Sequence, residues 1–317
     1  MKNVILFGNG LNLLNGGITW YNLLEKITTG SLITGIPNTL QYETIVLASE
    51  YYHYESFVTA DGYMLSSADG RQFYVIDKPA EENIKNKIKE EMEGFKSNSI
   101  YERISQLKVE HYITTNYDHT LCNLLYTKGF KESISNNTEN IYSIRRNFVL
   151  QNTEGICKCI WPMHGTIQYP KSIMLGLDHY CGSIGKIDDY IKGKYEYKIS
   201  GKSVELNGLI HRLKNHECQV TLSWIDLFFT HDIHIIGLGL QYDEIDLWWI
   251  LNKRQRYVRL YGKDAIINNK IYYYGNIDKG KKTLLERLGV KVYSSPDTSF
   301  QDQYNYFIDI ISDFCNR

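Results

Sequence analysis

Three short stretches hold residue types able to do chemistry: Gly8-Asn9-Gly10 within FGNG at 7–10, Asn116 within TTNYD at 114–118, and His164 within MHG at 163–165. An imidazole, mostly neutral near pH 7, can take a proton from a hydroxyl or from water. A neutral amide at 116 can hold a ribose hydroxyl or an attacking water without the desolvation cost of a charge. Glycines at 8 and 10 let the main chain approach a pyrophosphate, whose charge backbone N–H groups and a helix N-terminus can meet. The spacing is not G-x-G-x-x-G, so the setting between a strand and a helix carries the reading. Asn9, Asn12 and Asn15 are placed either to bond ribose or phosphate or to satisfy the loop's own backbone. A second glycine turn, Gly237-Leu238-Gly239-Leu240, is followed by Asp243 as a helix N-cap, and such a helix start can also bind phosphate or adenosine. Each feature has an ordinary structural alternative: a tight turn for the glycines, an Asx-turn for Asn116, a cap for Asp118, a packed histidine at 164.

The elements that must position these residues read as repeated strand–turn–helix units. Val4 to Phe7 is a short apolar run closed by Gly8, which fits a buried parallel strand. Thr19 can cap a helix carrying Trp20, Leu23, Leu24 and Ile27. From about 37 to 108 the chain is polar and tyrosine-rich, with a charged helical tract and hairpin material near Tyr63–Ile76, and it reads as an insertion or cap. His111 to Thr114 predicts a second strand, with Asp118 capping a helix bearing Leu121, Leu124 and Leu125. Cys159 to Met163 predicts a third strand ending at His164-Gly165, and Ile173 to Leu175 a fourth. Further on come a helix over Val220 to Phe229, a strand over Ile233 to Ile236, and a helix with Leu247, Trp248 and Leu251 capped by Asp243. A strand over Lys270 to Tyr274, a helix over Lys281 to Leu288 and a last strand over Val290 to Tyr293 complete the pattern. The fold class this predicts is α/β, a Rossmann-like doubly wound parallel sheet with a helical or irregular insertion. In such sheets the ligand binds beyond the carboxyl ends of the strands, and every candidate residue lies at such an end.

The 317 residues suit one domain with an insertion, since no linker of useful length divides them. Lys+Arg 35 against Asp+Glu 36 gives a net charge of −1, which offers no global field for direct nucleic-acid binding. Six cysteines lack paired C-x-x-C spacing, so reduced thiols and no stoichiometric zinc are expected. The start MKNVILFGNG does not read as a signal peptide, and no window suits a membrane helix; a cytoplasmic location is the expectation. The 26 tyrosines suit cores and interfaces alike.

These motifs, in this order, resemble the SIR2-like family, and in particular its bacterial NAD-consuming domains of anti-phage defence. FGNG-LN is similar to the family's opening GAG-x-S loop, GITW at 17–20 to GIPxW, TTNYD to T-x-N-x-D, MHG to the catalytic His-Gly, and IIGLGLQYDEIDL at 235–247 to the late glycine turn. The resemblance implies a catalytic pair, Asn116 and His164, with Gly8, Asn9, Gly10, Asn12, Asp118, Gly237, Gly239 and Asp243 around NAD as substrate. It implies an NAD glycohydrolase with no metal, and regulation by homo-oligomerisation or by a separately encoded regulatory or sensor protein. Asn9 stands where the family has alanine, Asn12 and Gly239 where it has serine. The arginine of the deacylases' GIPDFR segment and their four-cysteine zinc module are absent. A deacylase or ADP-ribosyltransferase, and a catalytically silent nucleotide-binding assembly subunit, are the competing readings. At this level His164→Ala is expected to leave the fold intact, and Asp118→Asn to cost little, because asparagine caps about as well as aspartate.

Overall fold

A computed structural model describes residues 2–28, 30–58, 65–66, 72–73, 79–136, 139, 141–199, 202–262 and 266–316. The chain begins β1 (Asn3–Phe7), α1 (Gly10–Leu13), α2 (Trp20–Ile27), α3 (Asn38–Val58), β2 (Leu65–Ser66), β3 (Gln72–Phe73), α4 (Pro79–Met92) and α5 (Ser99–Gln106). Next come β4 (His111–Thr114), α6 (Thr120–Thr127), β5 (Lys131–Asn136), β6 (Asn147–Gln151), β7 (Cys157–Pro162), α7 (Leu177–Lys192), β8 (Glu196–Ile199) and β9 (Lys202–Glu205). The last third is α8 (Leu209–Lys214), α9 (Trp224–Thr230), β10 (Asp232–Ile236), α10 (Ile245–Tyr261), β11 (Ile271–Tyr274), α11 (Lys279–Arg287), β12 (Val290–Tyr293) and α12 (Phe300–Cys315).

Eight strands form one sheet in the order β12-β11-β10-β1-β4-β7-β6-β5. The first six are parallel, and β6 and β5 extend the β7 edge antiparallel, so the sheet is mixed rather than wholly parallel as the sequence predicts. β6 shows why it escapes notice: only Phe148 and Leu150 are buried, an alternation too short to stand out. In β1 the two-residue period of a strand sends Val4 and Leu6 to one face and Ile5 and Phe7 to the other, and all four are buried. One face packs on α7, α9 and α10 through Ile187, Trp224, Phe228 and Leu247. The opposite face packs on α5, α6 and α12 through Ile100, Leu121 and Phe307. The fold is therefore α/β and doubly wound.

A third core joins Leu23, Leu24 and Ile27 of α2 to Tyr42 and Ile45 of α3 and to Ile84, Ile88 and Met92 of α4. It meets the sheet-bearing body at Tyr117, Ile167, Ile173 and Leu175, forming a cap over the carboxyl edge. Within the 37–108 tract, α3 and α4 join this cap, whereas Tyr101 and Ile104 of α5 serve the second core. Thr19 does cap α2, its hydroxyl accepting from the Asn22 N–H at 3.1 Å. β2 and β3 pair antiparallel inside the expected hairpin tract, whose other residues at 63–64, 67–71 and 74–76 lie outside the described ones.

Ile173–Leu175 is not a strand. Its apolar run is buried in the cap core, while the Met174 N–H bonds the His164 carbonyl at 2.9 Å instead of a strand ladder. The helix predicted over 220–229 begins only at Trp224, because Ser223 caps it and Val220 is exposed. The Lys-, Tyr- and Gly-rich stretch from Leu175 to about 203, for which the sequence predicts no element, contains the full helix α7. Among the described residues no helix is long and apolar enough to cross a membrane.

Candidate functional site

The strands that carry the motifs are neighbours, β10-β1-β4-β7, with Phe7 in register with both Ile236 and Thr114, and Thr114 with Pro162. Gly237, Gly8, Asn116 and His164 therefore leave the sheet along one edge, where the chain order reverses across β1. The two glycine turns pack on each other: the Gly10 N–H donates to the Gly237 carbonyl at 2.8 Å, and a Cβ on Gly10 would lie 2.7 Å from that oxygen. Gly237 has φ +65°, and a side chain there would press on Leu11 at 2.8 Å. Close turn-to-turn packing thus accounts for Gly8, Gly10 and Gly237 before any phosphate does. Gly239 is the open one of the set, its nearest neighbour being the Gln241 amide at 3.2 Å.

The asparagines form a buried network. Asn9 donates to the Ile18 carbonyl at 2.7 Å and accepts from Asn12 at 3.0 Å, which ties the first loop to the GITW segment. Asn12 also donates to Asp118 at 2.8 Å and accepts from the Tyr101 hydroxyl at 2.7 Å. That same hydroxyl accepts from Asn116 Nδ2 at 3.4 Å. Asn116 is 1 % exposed, and its Oδ1 is buried without a hydrogen-bond partner. A buried carbonyl oxygen left unmatched is costly, so it is the natural acceptor for an incoming hydroxyl or water. Asp118 does not cap α6 as predicted: His119 is the boundary residue, and Asp118 accepts from Thr120 N–H at 2.9 Å in an Asx-turn one residue early. Its other oxygen is the one held by Asn12.

His164 is 2 % exposed and pairs through Nε2 with Asp246 Oδ2 at 3.0 Å; Asp246 is fully buried. The carboxylate places the ring proton on Nε2 and leaves Nδ1 to accept. Burial lowers the His164 pKa, but Asp246 and then Glu244 outweigh it, so the net displacement is upward. The ring stands edge-on to Tyr180, centroids 5.2 Å apart. Gly165, with φ +93°, lets the turn press against Ser172, whose carbonyl a Cβ would meet at 2.1 Å. That contact explains the glycine after the histidine.

His164 borders a cavity of about 20 Å³ together with Trp20, Thr39, Tyr117, Tyr180, Asp243 and Glu244, among others. Asp243 is not the cap of α10 either. The helix starts after Glu244, and Asp243 accepts from the Thr39 N–H of the cap at 3.3 Å. Glu244 bonds the Gln241 N–H at 2.7 Å, and burial, opposed by His164, pushes its carboxyl up to about 7.

The structure thus gathers Asn116, Asp118, His164 and Asp243 at one edge, with Asn9 and Asn12 behind Asn116. Sequence reasoning missed Asp246, Glu244, Tyr101 and Tyr180. The acidic run DEID at 243–246 was legible, but which carboxylate meets His164 depends on how α10 starts. Tyr101 carried no signal, being one tyrosine among 26. Among the described residues no group of three or more His, Cys, Asp or Glu side chains is arranged to hold a metal ion.

Residues 110–209 match the SIR2-like domain family, a stretch that contains Asn116, Asp118 and His164. No curated protein matches the chain. The family match implies NAD binding and NAD-related chemistry, and the unmatched Asn116 oxygen is an acceptor that a ribose hydroxyl would satisfy.

Proposed function

We propose that the chain is an NAD glycohydrolase. The observation that carries this reading is the placement of Asn116, with its unmatched buried oxygen, and the Asp246-paired His164 at the same sheet edge, inside the SIR2-like stretch. Asn116 would hold the ribose or the attacking water. The bond between the nicotinamide nitrogen and the ribose breaks with its electron pair going to nitrogen, through an oxocarbenium-like state. Water adds at the ribose carbon, and its proton passes to His164 Nδ1. Nicotinamide and ADP-ribose result. Asp246 orients the imidazole and stabilises its protonated form.

The cavity as it stands has space for about one water molecule. NAD entry therefore requires the cap-side wall, Trp20, Asn38 and Thr39, to part from Asp243 and His164. We further infer from the family resemblance that the activity depletes NAD in anti-phage defence. Restraint of such an activity would come from self-assembly or a separately encoded partner. Incubating the purified chain with NAD, with and without an acetylated peptide, tests the reading. Peptide-independent nicotinamide release supports it; peptide-dependent release indicates a deacylase, and binding without turnover a silent subunit.

A further inference from the structure

The cavity beside His164 has an unusual lining. Three of its walls are aromatic, Trp20, Tyr117 and Tyr180, with the Trp20 and Tyr117 rings 5.2 Å apart. Two carboxylates, Asp243 and Glu244, border it, and among the described residues no lysine or arginine does. Of the acidic groups here, Asp246 uses both oxygens, on His164 and the Leu247 N–H, and Asp243 gives one to the Thr39 N–H. Glu244 gives one oxygen to the Gln241 N–H, and its second has no hydrogen-bond or ion-pair partner among the described residues. Asn116 follows the lining residue Thr115 in the chain but does not itself border the cavity.

We propose that Glu244 is a further functional residue, the carboxylate that matches a positive charge in this cavity, seating the pyridinium ring of NAD against the aromatic walls once the cap parts. This rests on the glycohydrolase reading for the identity of the ligand, while the charge preference is a property of the cavity alone. A flat aromatic cation is attracted by ring faces and, more strongly as water is excluded, by an opposite charge. Burial and the neighbouring Asp243 and Asp246 disfavour an ionised Glu244, with His164 acting the other way, so an arriving cation supplies the charge the site lacks. As the glycosidic bond breaks, the positive charge moves from the ring to the ribose, and a fixed carboxylate nearby stabilises that state. The neutral nicotinamide left behind no longer matches the carboxylate, which favours its release.

The test uses the full chain and two small probes, 1-methylnicotinamide, a cation, and nicotinamide, which is neutral, with binding measured calorimetrically. Wild type should prefer the cation by about tenfold. Glu244→Gln keeps an oxygen for the Gln241 N–H, so it should melt like wild type and lose the preference; Glu244→Asp, which keeps the charge, should retain it. Equal binding of the probes to wild type, binding of neither, or an undiminished preference in Glu244→Gln overturns the proposal. A chain that binds the cation through Glu244 yet releases no nicotinamide from NAD keeps this inference and rejects the glycohydrolase reading. NAD cleavage with a preference insensitive to Glu244→Gln does the reverse.

Discussion

His164 is a buried ion-pair partner, which changes what its removal means. Sequence alone treats it as a cleft residue of little structural weight, but His164→Ala would strand the carboxylate of Asp246, which is wholly buried. Breaking a buried pair from one side costs roughly 3–5 kcal/mol. His164→Ala should therefore lose both NAD cleavage and melting temperature, whereas His164→Ala with Asp246→Asn should recover stability and stay inactive; thermal melts and nicotinamide release separate the two effects. Asn116→Ala differs, because it removes a weak 3.4 Å hydrogen bond and an oxygen that has no partner. Its melt should stay within about 1 kcal/mol of wild type while turnover falls roughly hundredfold or more. Asp118→Asn is no longer benign, since the Asn12 amide would face a second amide donor in place of a carboxylate oxygen. The pH dependence follows from the same groups. His164 acts as a base only when neutral and its pKa is raised, so kcat/KM should climb with pH through a limb above 6.5. Glu244, held at about 7, loses its proton in the same direction, and Tyr117, Tyr180 and Asp243 are the other titratable side chains lining the cavity among the described residues. Asp246→Asn removes the larger of the two influences that raise the histidine, and should move its limb toward acid; an unmoved profile would show that Asp246 does not tune it.

The cap is fastened to the body by a compact polar cluster on α4 and α7. Glu81 accepts from His179 Nε2 at 2.6 Å and pairs with Lys85 at 3.0 Å, while His179 Nδ1 accepts from the Leu175 and Gly176 N–H groups at 3.2 and 3.1 Å. Leu175 in turn borders the cavity, so this latch holds a wall of the candidate site. The His179 hydrogen bond, and then Lys85, lower Glu81 to about 2 from an ordinary value of 4.5, against the desolvation that would raise it. A depressed carboxylate stabilises above its unfolded value and loses that contribution as pH falls through the folded one. Glu81→Gln should therefore cost up to roughly 3 kcal/mol at pH 7. The gap to wild type should close between pH 4.5 and about 2. Melts at neutral and acid pH check both arms, and a gap independent of pH would remove Glu81 from the latch.

At the scale of the molecule, the body holds the site and the cap closes it. The cap contributes Trp20 and Thr39 to a cavity of only about 20 Å³, so on the proposed reading substrate access and cap motion are one event. An activity of this kind needs restraint, and the expectation that self-assembly or a partner supplies it is answered by size-exclusion chromatography with light scattering beside activity of the isolated chain. A monomer fully active alone would reject it. Hydrogen exchange supplies the companion measurement: added NAD should alter protection in α2 and the start of α3 more than in β1, whose Val4, Ile5 and Leu6 are wholly buried.

Local chemistry by itself determined the parallel strands, their glycine ends and the candidates at them. The run VILF is apolar on both faces and IHII nearly so, broken only by His234, and Gly8, Gly165 and Gly237 mark where the chain must turn against other backbone. The Thr19 cap was legible for the same reason, since its partner lies three residues away. Tertiary structure alone decided which side chains meet. Asp246 reaches His164 across 82 positions, Tyr101 joins Asn12 across 89, and Thr39 finds Asp243 across 204. It also turned Ile173–Leu175 from a predicted strand into cap core, and took Asp118 and Asp243 from helix capping to other partners. Periodicity and capping are local and can be read along the chain. Pairing of buried polar groups is set by which strands become neighbours, and β10, β1, β4 and β7 become so only once the sheet closes around them.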